Sequence, residues 1–125
     1  MRKTTSVSVF ATLLVVLMSG PVMAGGDAAA GKEIFNKQCV ACHGTTPGAH
    51  KMGPSLAGIF GKRAGSTDFK RYVGLKGLDV VWNEETLDKF LADPAGFVGG
   101  QTSMFSKMAD AQQRADVIEY LKTLK

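Results

Sequence analysis

Apolar residues along this chain fall into one nearly continuous run followed by spaced stripes. The run extends from Val7 to Met18, behind Arg2 and Lys3 and ahead of Gly20, Pro21, Val22, Met23 and Ala24. Beyond it, Ile34 and Phe35 supply the apolar face of a segment opened by Asp27 and three alanines. Asp27 has the side chain of an N-cap, and this predicts a first helix. Gly31 is odd there, because glycine costs about 1 kcal/mol against alanine inside a helix. Close approach of another helix would account for it, and so would a tolerated surface position. Leu87, Phe90 and Leu91 share a face behind Asn83, Glu84 and Glu85, a cap and two carboxylates suited to the positive end of a second helix. Pro94 predicts its end near Asp93, and a glycine-rich loop follows from Gly96 to Ser103. Val117, Ile118, Leu121 and Leu124 form the stripe of a last helix starting near Asp110. Residues 44–81 show no sustained alternation and are punctuated by glycines and by Pro47 and Pro54, which predicts loops and short helical turns. The pattern is all-α, with helices joined by long loops that need something central to pack against.

The N-terminal run changes this picture by removing itself from it. A basic start, an apolar stretch of about 7–15 residues and small residues before a cut site make a secretory leader. The competing reading is a retained anchor, but a spanning helix takes about 20 apolar residues, and Ser6, Ser8, Thr12 and Ser19 interrupt or bound this run. The expectation is a signal peptide at 1–24, cleavage after Ala24, one mature domain at 25–125 and a periplasmic location. The whole chain of 125 residues carries a net charge of +4. Its leader takes away two cations and no anion, so the mature part lies closer to neutral, which argues against a nucleic-acid partner. A domain of about 100 residues buries only a small core, and a large rigid apolar ligand would help to fill it.

Both cysteines of the chain lie in Cys39-Val40-Ala41-Cys42-His43. Four chemistries compete for them. A thioredoxin-like redox pair needs a strand–helix setting, of which the pattern has no trace. A structural zinc site needs four ligands, and only His50 remains as a further imidazole. A disulfide is at home in an exported protein, but across two residues it would constrain almost nothing. The fourth is covalent haem attachment, for which C-x-x-C-H is the signature. Two thiols add across the vinyl groups of the porphyrin, and the two intervening residues let them reach neighbouring edges. His43 comes next and turns its imidazole under the iron.

Several longer stretches then resemble one family in its own order. "GKEIFNKQCVACH" is similar to the first helix and attachment site of the class I c-type cytochromes, and "HKMGPSLAGIFGKRAG" to their loop on the histidine side. "VVWNEETLDKFLADP" resembles the middle helix with its preceding tryptophan, and "QTSMFSKM" with "RADVIEYLKTL" the ligand loop and C-terminal helix. The likeness is to the mitochondrial-like branch with its bacterial members. It implies the cytochrome c fold, three main helices plus short turns wrapped around one haem c per chain, attached through Cys39 and Cys42 with His43 on the iron.

With His43 on one face, the iron's other position is open to Met, His, Lys, water or nothing; a Met and His pair raises the reduction potential. Met52, Met104 and Met108 survive cleavage. The resemblance implies Met104 as the ligand, Met52 as a packing residue and Met108 as core filling. It makes Pro54 the carbonyl that orients His43, and gives Tyr72 and Trp82 to the haem propionates. Thr102 hydrogen-bonds nearby or to a propionate, and His50 bridges two loops. Gly31, Phe35, Tyr120 and Leu121 form a helix crossing. Departures are visible too. The family's propionate-side arginine falls on Lys62, with Arg63 just beyond. Ser106 replaces an aromatic residue, and Ala95 and Gly96 stand where lysines are usual. The docking lysines thin to Lys37, Lys51 and Lys107, so charge steering is weaker. The expected function is one-electron transfer between a donor and an acceptor redox protein, by a monomer without stable membrane insertion after cleavage. The cofactor does the chemistry and no residue is catalytic. The alternatives are an electron-delivery subunit of a larger redox complex and an open-site haem enzyme or sensor.

Overall fold

The computed structural model describes residues 25–125; the expected signal peptide and its cleavage site lie outside the described residues. The first helix, α1, runs Ala28–Gln38. The Asp27 carboxylate accepts the backbone N–H groups of Ala29 at 2.8 Å and Ala30 at 3.1 Å, satisfying donors that the first turn leaves free. Gly31 and Phe35 are its buried face, while Ile34 is half-buried. Helix α2 spans Glu84–Ala92, and Asn83 and Thr86 exchange side-chain and backbone hydrogen bonds in a capping box. Leu87, Phe90 and Leu91 are buried as their spacing requires.

Pro94 does more than end α2. It opens a short third helix, α3, Pro94–Val98, where the sequence pattern predicts loop from Gly96. Proline at a first helical position brings a preset φ and lacks only an N–H that would go unused. Gly99, at φ 74°, closes the turn. The last helix, α4, is Ala111–Thr123, capped by Asp110 accepting from the Gln113 N–H at 3.0 Å.

Helix α4 packs against both α1 and α2. At the α1–α4 crossing a β-carbon on Gly31 would stand 1.9 Å from the Asp116 carbonyl oxygen, so close helix approach is what glycine provides there. Phe35 meets Tyr120 edge-on at 5.2 Å between ring centroids. Asp116 is buried, and its carboxylate is satisfied by the Asp27 N–H at 2.8 Å and Gln112 at 3.0 Å, which ties the start of α1 to α4. Residues 44–81 contain no strand, only isolated bridges at His43–His50 and Arg63–Val81. Backbone bonds from Gly61 to Trp82 at 2.7 Å, Trp82 to Lys62 at 2.8 Å and Ala64 to Val80 at 2.7 Å place the tryptophan. Its ring is buried against Phe90 and stacked on Phe97. Among the described residues no helix is long and apolar enough to cross a membrane.

Candidate functional site

The cysteine pair grows directly out of α1. Cys39 is that helix's C-cap, with its N–H bonded to the Phe35 carbonyl at 2.8 Å. The N–H groups of Cys42 and His43 both return to the Cys39 carbonyl at 3.0 Å, so the motif is one tight turn. The segment 51–56 is laid alongside by bonds from Gly53 to Cys42 at 2.8 Å and Leu56 to Gly44 at 2.9 Å. This brings the Pro54 carbonyl 2.7 Å from His43 Nδ1. The proton therefore sits on Nδ1, and Nε2 keeps its lone pair. Burial holds the His43 pKa below its ordinary value, partly countered by the Pro54 bond, so the imidazole is in the neutral form that ligates metal. Gly53 lies flat against this ring: a β-carbon there would stand 2.4 Å from Cε1.

Cys39, Cys42 and His43 face one cavity of about 310 Å³, with Trp82, Tyr72, Thr102 and Met104 also in its walls. Core residues such as Phe35, Leu91, Val117 and Leu121 complete them, and the lining is mostly apolar. Burial, then the neighbouring Cys42, pushes the Cys39 thiol up to about 11, the opposite of the lowered value that marks a reactive redox thiol. Met104 is half-buried against the core, and its N–H is bonded to the Thr102 hydroxyl at 3.2 Å. The Tyr72 and Thr67 hydroxyls share a hydrogen bond of 2.5 Å in which either can donate.

Met52, Met104 and Met108, the three methionines among the described residues, all touch this cavity. Met52 is 72% exposed and belongs to the chain segment that carries Pro54. Met108 is buried, with its N–H on the Leu91 carbonyl at 2.9 Å. Arg114 of α4 fixes the same stretch. It donates to the Met108 and Ala109 carbonyls at 2.8 and 2.9 Å, and pairs with Asp88 of α2 at 2.6 Å. His50 lies away from the cavity lining, as a loop bridge should. Its Nδ1 accepts from the Ser55 N–H at 2.9 Å and its Nε2–H donates to Asp68 at 2.7 Å.

The sequence left the propionate-side cation open between Lys62 and Arg63. Lys62 reaches the Ala57 carbonyl at 3.4 Å and Arg63 pairs with Asp79, and neither is part of the cavity wall. Arg71 is part of it. Sequence reasoning missed Arg71; its place beside Tyr72 was the available signal.

Among the described residues no three His, Cys, Asp or Glu side chains gather to hold a metal by themselves. An iron here has to arrive with its own equatorial ligands, and a thiol pair beside a neutral imidazole on an apolar cavity suits that delivery. The site thus defines a c-type haem protein. The family model for cytochrome c matches residues 28–125. Cytochrome c of Ginkgo biloba is 39% identical over 78% of this chain and 88% of its own length. That of Tetrahymena pyriformis is 40% identical over 79% and 90%. Among solved structures, cytochrome cH from Methylobacterium extorquens superposes with a TM-score of 0.71 at 36% identity, covering 78% of this chain and 99% of that one. Ferricytochrome c2 from Rhodopseudomonas palustris gives 0.69 at 37% identity, over 79% and 99%. The chain belongs to the cytochrome c family, as a class I c-type cytochrome. It is an electron carrier and not an enzyme, with one haem c attached through Cys39 and Cys42, and it exchanges electrons with redox proteins.

Proposed function

We propose that this chain is an exported electron shuttle in which His43 and Met104 are the two axial ligands of the haem iron. The observation that carries the reading is an apolar cavity that has both Cys39-Cys42-His43 and Met104 in its walls. Bound haem supplies the ferric–ferrous couple, and the residues set its terms. His43 offers Nε2 because Pro54 holds its other proton. Met104 offers a thioether, a soft ligand that favours the reduced state and raises the potential. Trp82 and Tyr72 bring an N–H and an O–H to the cavity wall, where propionate carboxylates can accept them, and Thr102 holds the backbone of Met104. The leader pattern of residues 1–24 supports export to the periplasm, with 25–125 as the working monomer.

Mass spectrometry of protein made in a host that matures c-type cytochromes tests the frame: the expected product starts at Gly25 and carries one haem. The far-red sulfur-to-iron band of the ferric protein tests the ligand. Met104→Ala is expected to abolish it and to open the ferrous iron to carbon monoxide, with Met108→Leu keeping the band. Survival of the band in Met104→Ala and its loss in Met108→Leu would overturn the assignment.

A further inference from the structure

Haem c brings two propionate carboxylates to a cavity that is mostly apolar, and buried or half-buried anions need a partner. Among the described residues no Asp or Glu lines this cavity, and its walls contain two permanent cations, Arg71 and Lys107. Lys107 is committed: its ammonium pairs with Asp93 at 2.9 Å. Arg71 has no carboxylate partner among the described residues. One Nη2–H goes to the Lys51 carbonyl at 2.6 Å, and the guanidinium carbon stands 5.7 Å from the centre of the Phe69 ring. These contacts orient the fork and leave most of its five donors unused. The next residue, Tyr72, lines the same cavity. The two other cations that the sequence offered for this duty are engaged elsewhere, Lys62 on the Ala57 carbonyl and Arg63 on Asp79.

We infer that Arg71 is the cationic partner of a haem propionate in this protein. A guanidinium fork matches a carboxylate in two parallel hydrogen bonds. Its contact with the Lys51 carbonyl ties the segment carrying Tyr72 to the segment carrying Pro54, so the same side chain links the two loops that flank the cofactor. A positive charge held there has an electrostatic consequence. It disfavours the ferric state, whose iron carries the extra positive charge, and it keeps the propionate ionised to lower pH.

The test is spectroelectrochemical titration of the holoproteins against pH, with Arg71→Gln, Arg71→Lys and Lys62→Gln compared at low salt. Arg71→Gln is expected to shift the ferric–ferrous equilibrium toward ferric by about three- to tenfold, the size of a lost unit charge at partly solvated range. It is also expected to move the propionate-linked inflection of the potential to higher pH. Arg71→Lys should recover most of the shift in potential, and Lys62→Gln should leave both readouts at the native values. A potential and pH profile of Arg71→Gln that superimpose on the native ones would overturn the inference. So would the same changes appearing in Lys62→Gln instead.

Discussion

Replacing Gly53 by alanine puts one methyl group against the face of the His43 imidazole. The residue is not in a left-handed conformation, so the backbone accepts alanine and the whole cost lies in the contact. The new carbon would stand 2.4 Å from His43 Cε1, 2.8 Å from Nδ1 and 3.0 Å from Nε2. Carbon atoms rest at about 3.5 Å, so ring or backbone has to give by about 1 Å. Retreat of the ring stretches the Nδ1–H bond to Pro54, now 2.7 Å. Overpacking costs about 1–3 kcal/mol, and orphaning a buried polar group about as much again. Loss of glycine's freedom in the unfolded chain returns about 0.4–1 kcal/mol. The net expectation is about 3 kcal/mol of destabilisation. In guanidinium chloride, with a slope near 3 kcal/mol/M for a domain of this size, the midpoint of the ferric holoprotein falls by about 1 M. The potential should move as well, because the tilted imidazole is a different ligand. A Gly53→Ala protein with an unchanged midpoint and an unchanged potential would refute the packing argument.

Gly31→Ala gains about 1 kcal/mol of helix propensity, yet its methyl falls 1.9 Å from the Asp116 carbonyl oxygen; the clash wins, and thermal unfolding should show a lower midpoint rather than a higher one. Arg114→Ala removes an ion pair and two carbonyl contacts, worth about 2–3 kcal/mol. In denaturant the interval between loss of its far-red band and loss of helical circular dichroism should be wider than in the native protein. The Asp93 carboxyl is held below its ordinary value by Lys107 and then the Gly96 N–H. A lowered folded pKa means the pair stabilises above the unfolded value, about 3.9, and stops doing so as pH falls through the folded one. The stability gap between native protein and Asp93→Asn, measured by denaturation at stepped pH, should be constant near neutrality and close below about pH 4.

The helices were legible because their signals are local. Asp27 and Asn83 cap where they were expected to, the last helix begins next to Asp110, and the stripes at Leu87–Leu91 and Val117–Leu121 are buried. The attachment turn was legible because its chemistry dictates its spacing. Helix α3 escaped notice because Pro94 serves equally as a stop and as a start, and its five residues are too few to show periodicity. Asp116 escaped because nothing in a sequence says that a carboxylate on an apolar stripe will meet the N–H of a residue 89 positions away. The cation at the cavity stayed open for a similar reason: which basic side chain of a long loop turns inward is decided by backbone pairings such as Trp82 with Lys62.

The cavity of about 310 Å³ is walled by Phe35, Trp82, Leu91, Val117 and Leu121, the same side chains that make up the core. Apolar area on a bound porphyrin leaves water against these side chains just as their own area does, so the ligand adds to the same burial that stabilises the fold. Cofactor and hydrophobic core are one object here. A chain without its porphyrin lacks part of its core, so limited proteolysis is expected to cut it faster than the holoprotein.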